Sequence, residues 1–231
     1  MMKILRGACA VLGGLLLGAC ASKPAPPPPP PPATYGVEVL SEPPAASVSF
    51  QGKPVGTTPF SFNVQSEKDL IDVAASSKDQ AVVEKRIRFV SQDKAQVFFR
   101  FGTEPSALAK KLGLTKVLVL ENSEKISFDS GQSVLKPEGI PVLQREAGML
   151  KAYFPTVDIF VCGHTDSTGS DSLNLKLSLE RARSAAAVLT SEGVPKERMK
   201  VQGFGKEYPI ESNDTPAGRA VNRRTEFVLP Q

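Results

Sequence analysis

The chain has 231 residues, 41% of them hydrophobic and 23% charged, with a formal net charge of +4. That length allows one or two domains of ordinary globular composition. The charge falls to +2 if Lys3 and Arg6 leave with an N-terminal segment, far too little to argue for a nucleic-acid partner. Such a segment is visible at once. Lys3 and Arg6 precede an uncharged apolar stretch that is too short to span a bilayer, which takes about 20 apolar residues. Residues 1–19 therefore read as a secretory signal peptide.

The end of that stretch, Leu17-Gly18-Ala19-Cys20, resembles the bacterial lipobox. The resemblance implies cleavage before Cys20, a diacylglycerol on its thiol and an acylated amino group. Each buried CH₂ adds about 0.8 kcal/mol, so several chains make a stable anchor. Ala21 follows, not Asp, and by the same resemblance the lipoprotein goes to the outer membrane and faces the periplasm. Cys9 leaves with the signal peptide, so Cys162 is the one thiol without a fate, and no intramolecular disulfide is expected. Residues 20–35 then form a tether. Prolines 26–32 impose polyproline II, and a dozen such residues reach roughly 35 Å.

Residues 36–102 carry short β-type runs, including "VEVLSEP", "SVSF", "FSFNV", "DLIDVAA", "EKRIRFVS" and "AQVFFRF". Gly- and Pro-containing turns separate the first of them. A small all-β sandwich is expected, near the lower size limit for independent folding. Pro44, Ala46, Val48, Gly52, Gly56, Thr58 and Pro59 resemble the PEGA domain pattern. Ala45 stands where that family prefers glycine. The resemblance implies a spacer without chemistry of its own, or a surface for envelope protein partners. "TEPSALAKKLGL", residues 103–114, predicts a linker with one or two helical turns.

Residues 115–231 alternate strands and amphipathic helices, which predicts a two-layer α/β sandwich. "VLVLENSEKISFD" opens it as a strand pair or one irregular strand. Pro137 suits a helix first turn, and Ile140, Leu143, Ala147, Leu150 and Phe154 then line one face. "TVDIFVCG" is a strand. The next helix starts at residues 170–172, buries Leu179, Ala182, Ala186 and Leu189, and ends at Gly193. "MKVQGFG", a short helix at Thr215-Pro216 and the strand "NRRTEFVLP" complete the order.

Asn174, Ser178 and Arg181 share a helix face distinct from the apolar stripe, just after the loop holding His164, Thr165 and Asp166. A carboxylate near the start of a helix that displays a guanidinium suits a zwitterion. The spacing equally allows a turn-stabilising Asp166 and a solvated Arg181. "GHTDSTGSDSLNLKLSLERARSAAAVL", "GFGKEYPIESNDTPAGRAVNRRTEF" and the earlier "ISFDSG" resemble the OmpA C-terminal-like domain, motif by motif and in order. That resemblance implies non-covalent binding of peptidoglycan through meso-diaminopimelate of the stem peptide, tethering outer membrane to wall. It assigns the ammonium to Asp166 and the carboxylate to Arg181, with Asp129, Thr165, Asn174 and Arg223 lining the pocket. No cofactor or metal is implied. A service role in a larger envelope machine, of the Tol-Pal or secretion type, uses the same domain. The enzymatic alternative rests on Cys162, His164 and Asp166 at alternate positions. It is disfavoured, because the exit loop breaks their alignment, zinc hydrolases need more histidines, and no oxyanion hole is signalled.

Overall fold

A computed structural model describes residues 34–91, 93–123, 128 and 131–231. The signal peptide, Cys20 and most of the tether lie outside the described residues, as does Asp129. The chain begins with β1 (Tyr35–Glu42), β2 (Ser47–Phe50), β3 (Lys53–Thr57) and β4 (Phe60–Val64). Helix α1 (Glu67–Asp72) and β5 (Ala74–Ser76) follow, then the long hairpin of β6 (Ala81–Phe89) and β7 (Lys94–Gly102). The segment "DLIDVAA" is thus helix first and strand second. Ser66 explains it: its hydroxyl accepts from the Asp69 N–H at 3.2 Å, while the Asp69 carboxylate accepts from the Gln65 N–H at 2.9 Å. These two capping bonds start a helix that β-branched letters alone conceal.

The linker holds α2 (Ala107–Lys111). Beyond it come β8 (Val117–Ser123), α3 (Gly139–Tyr153), β9 (Ile159–Gly163), α4 (Asp171–Ser191), β10 (Met199–Gly203), α5 (Pro216–Asn222) and β11 (Arg224–Pro230). Eight strands form one sheet in the order β10-β9-β11-β8-β6-β7-β1-β4, and β3-β2-β5 form a second. Strand β6 lies parallel to β8, with Glu84 opposite Val117 and Arg88 opposite Glu121. The hydrogen-bonded ladder is therefore continuous from the N-terminal β-rich part into the C-terminal α/β part.

The alternation of side chains gives this sheet two unlike faces. On one, Leu118, Leu120, Ile159, Val161, Phe227 and Leu229 pack with residues of α3 and α4, continuous with the core around Tyr35, Val48 and Leu70. On the other, Val117, Val119, Phe160, Cys162 and Val228 pack with Leu108 and Ala109 of α2. The rest of that second face carries charge. The α3 stripe begins one turn later than its spacing predicts: Leu143, Ala147 and Leu150 are buried, but Ile140 is 37% exposed.

Ala45 adopts φ +65°, the left-handed region that favours glycine. An L-residue there costs roughly 1–2 kcal/mol. Glycine's extra chain entropy offsets part of the relief, so Ala45→Gly should stabilise by about 0.5–1 kcal/mol in thermal unfolding. A neutral or lower melting temperature would show that the neighbouring turn, where the Ala45 N–H donates to Thr58 O at 3.1 Å, absorbs the strain.

Candidate functional site

Strand β9 is buried along its whole length and ends at Gly163. The chain then crosses between its two neighbours. Phe204 N–H donates to Gly163 O, His164 N–H to Arg224 O and Thr165 N–H to Gly205 O, each at 2.9 Å. The loop carrying Thr165 and Asp166 is thus fixed by backbone on both sides.

Helix α4 presses on these strand ends. A Cβ on Gly163 would lie 2.0 Å from Ser178 O, and one on Gly203 would lie 2.4 Å from Leu179 N. Two glycines therefore permit an approach that any side chain would block. The expectation that Asn174, Ser178 and Arg181 occupy a face apart from the buried one is corrected here. All three are buried, at 6%, 0% and 2% exposure, because the helix meets bare backbone. Ser178 Oγ accepts from Gly205 N–H and donates to Leu175 O, both at 2.9 Å, which satisfies it at the closest point. Gly163→Ala should cost about 1–3 kcal/mol by overpacking against Ser178, measurable by urea denaturation. An unchanged midpoint would mean that α4 can slide away freely.

Asp166 is largely buried and sits in a tight turn. Its Oδ1 accepts from Thr168 N–H at 2.8 Å, and its Oδ2 accepts from Arg223 Nη1 at 2.8 Å. Burial opposes its ionisation, but the Arg223 and Thr168 hydrogen bonds outweigh it and hold the carboxyl below its usual range. Asn174 Nδ2 donates to Thr168 O at 3.0 Å, and Thr165 Oγ1 donates to Asp166 O at 3.0 Å. Asn213 Oδ1 accepts from Ser167 N–H at 3.2 Å. Ser170 caps α4 through Leu173 N–H, after Gly169 has turned the chain at φ +88°.

Asp166, Thr165, Asn174 and Arg223 are therefore gathered around one loop. Arg181 lies seven residues beyond Asn174, roughly 10 Å along the helix axis. Its Nε donates to Gln132 O at 2.8 Å, and its guanidinium lies 5.2 Å from the centre of the Phe128 ring. Ser184 Oγ, one turn on, donates to Ser133 O at 2.7 Å, so α4 is tied to the 132–133 segment twice. Sequence reasoning missed the parts played by Thr168, Gln132 and Asn213. The turn-rich letters "TDSTG" signal the first of these, while Gln132 and Asn213 act from distant segments through backbone or amide atoms.

Cys162 and His164 face away from this chemistry. Cys162 is fully buried, and burial together with Glu226 pushes its thiol well up. His164 is 1% exposed and stacks on Phe204, ring centres 5.6 Å apart. Burial and the Arg224 charge hold it neutral, far below its usual range. A protonated thiol and a walled-in imidazole supply neither nucleophile nor reachable base.

Residues 127–223 match the OmpA family. YiaD of Escherichia coli, described as a probable lipoprotein, is 43% identical over 112 residues, covering 48% of this chain and 51% of that one. The peptidoglycan-binding protein ArfA of Mycobacterium bovis is 40% identical over 104 residues, covering 45% and 32%. Among solved structures, the peptidoglycan-associated lipoprotein of Burkholderia pseudomallei is 31% identical with a TM-score of 0.42, covering 45% and 87%. The chain spans about half or less of the length of the curated relatives it matches.

Proposed function

Since residues 127–223 are an OmpA-family domain, we propose that this protein binds peptidoglycan non-covalently, gripping the free end of meso-diaminopimelate, and tethers the envelope to the wall. The observation that carries the reading is Asp166: an ionised, mostly buried carboxylate on a loop fixed at the sheet's end. A carboxylate offers about four lone-pair sites. Arg223, the Thr168 N–H and the Thr168 side chain engage three, which leaves one for a ligand ammonium. Arg181 stands on the helix that leaves this loop, with its guanidinium against Phe128 and the Gln132 carbonyl. It serves the ligand carboxylate, and Asp129 joins Thr165, Asn174 and Arg223 around the ligand. The match to a protein named for peptidoglycan binding supports peptidoglycan as the target. In this reading Cys20 carries the lipid, the proline segment spans from the outer membrane, and the PEGA-like part is spacer or partner surface.

The test is co-sedimentation of the chain from Ala21 onward with purified sacculi. Asp166→Asn and Arg181→Ala should each weaken binding at least tenfold while circular dichroism shows an intact fold. Free meso-diaminopimelate should compete and lysine should not, because lysine lacks the distal carboxylate. Sedimentation unchanged in both variants would overturn the assignment.

A further inference from the structure

The charged part of the second sheet face forms a cleft of about 590 Å³, away from Asp166. Strands β1, β6 and β7 floor it, and α2 and the segment 207–211 flank it. That volume falls in the range of ligand sites. Each of its cations has a carboxylate partner, although Arg100 Nε is buried without an acceptor. Arg86 bonds Glu84, Glu121 and Glu226, Arg88 bonds Glu121, Arg224 bonds Glu226, and Arg100 bonds Glu42. Among the anions, Glu84 has a side chain 3% exposed, and while its Oε1 receives Arg86, its Oε2 is buried without a partner. A buried carboxylate oxygen with no donor is costly, and a native structure keeps one where something else supplies the donor. Glu207 and Glu211 add exposed carboxylates on the flanking segment. Leu40, Phe98 and Leu108 line the approach with apolar surface. The β6–β7 ladder also slips between Val82 and Glu84, the irregularity that accompanies re-aimed side chains at binding sites.

We infer that this cleft receives the guanidinium or ammonium of a basic side chain from a partner polypeptide, with Glu84 Oε2 as its acceptor. The aliphatic stem of such a side chain lies along Leu40 and Phe98 while the head reaches the carboxylate. The volume exceeds one side chain and admits apolar neighbours beside Leu108. The segment 207–211 is itself tied to the wall-binding loop. Asn222 Oδ1 accepts from Ile210 N–H at 2.9 Å, Arg224 Nη2 donates to Tyr208 O at 3.0 Å, and Arg223 between them holds Asp166.

The probe is the capped tripeptide acetyl-Leu-Arg-Leu-amide, titrated into the chain from Ala21 onward and followed by amide chemical shifts. Saturable shifts at Glu84, Arg100, Leu108 and Tyr208 are expected. The citrulline analogue, which has the shape without the charge, should bind at least fivefold more weakly, as should the arginine peptide to Glu84→Gln. Should Glu84→Gln not fold, the double variant Glu207→Gln/Glu211→Gln should lose at least twofold. Asp166→Asn should bind the peptide as wild type does, which separates this site from the wall site. Absence of saturation, equal binding of citrulline, or indifference to these substitutions would overturn the assignment. Equal affinity for spermidine would overturn the choice of a polypeptide.

Discussion

Arg86→Ala is expected to lower unfolding free energy by about 3–5 kcal/mol, the cost of removing one partner from a buried ionic set. Arg86 sits on β6, in the N-terminal part of the chain. Its Nη1 donates to Glu121 on β8 and to Glu226 on β11, both at 2.7 Å, and its Nη2 donates to Glu84 at 2.7 Å. Glu84 loses its ion-pair partner, and Glu121 and Glu226, 2% and 0% exposed, keep only Arg88 and Arg224, so truncation leaves excess negative charge that water cannot reach. Arg86→Lys should fall in between, because a lysine keeps the charge but cannot fork to three acceptors. The substitution also tests whether the two parts behave as separate modules. Independent modules would show a loss confined to one transition. The continuous ladder and the shared charge predict one transition, shifted as a whole.

The same substitution should change the response to acid. Burial alone would raise the Glu226 carboxyl, but Arg224 and Arg86 overcome this and hold it far below the usual carboxylate range. Its folded value is depressed, so its stabilising contribution is full above the unfolded value and is lost as pH falls through the folded one. Without Arg86 the folded value rises, and acid unfolding should begin at higher pH. Identical acid midpoints for the two proteins would contradict this.

Much of the C-terminal architecture is legible in the sequence, because periodicity and caps are local signals. The Leu143, Ala147 and Leu150 stripe, the strand "DIFVCG", the Ser170 cap and the Thr215-Pro216 helix start are all written within a few residues. The join between β6 and β8 is not local. Nothing in "EKRIRF" announces that Glu84, Arg86 and Arg88 face Glu121 and Glu226 across a buried sheet; alternating charges on a strand read equally as a solvated face. The site shows the same division. Thr165, Asp166 and Asn174 are near in the chain and meet around one loop, whereas Arg223 arrives there from 57 residues away. The depth of Asn174, Ser178 and Arg181 depends on Gly163 and Gly203, which permit contact from strands far away in the chain. A glycine signals permission for close approach without naming what approaches.

Glu146→Gln should flatten the dependence of stability on pH between about 4.5 and 8. Glu146 lies on the inner face of α3 with no exposed surface. Its Oε2 accepts from Asn122 Nδ2 at 2.5 Å, and its Oε1 has no partner. Burial pushes the carboxyl up from 4.5 to about 8, against the opposing effects of Asn122 and Arg145. The folded protein therefore keeps a proton here that the unfolded chain releases above pH 4.5. The contribution of Glu146 to stability is greatest below that value, falls as pH rises, and levels off above about 8. Each pH unit of the shift corresponds to 1.36 kcal/mol, so the accumulated loss is roughly 3–5 kcal/mol. Glutamine keeps an acceptor for Asn122 and cannot ionise. The variant should match the wild type within about 1 kcal/mol at pH 5, where two unsatisfied amide hydrogens offset the gain. At pH 9 it should exceed the wild type by roughly 3 kcal/mol or more. His164 and the Arg86 network titrate alike in both proteins, so subtracting the two urea-denaturation series isolates Glu146. Parallel curves across the whole range would mean that the side chain ionises in the folded state with a counterion beside it, and the neutral buried acid would have to be abandoned.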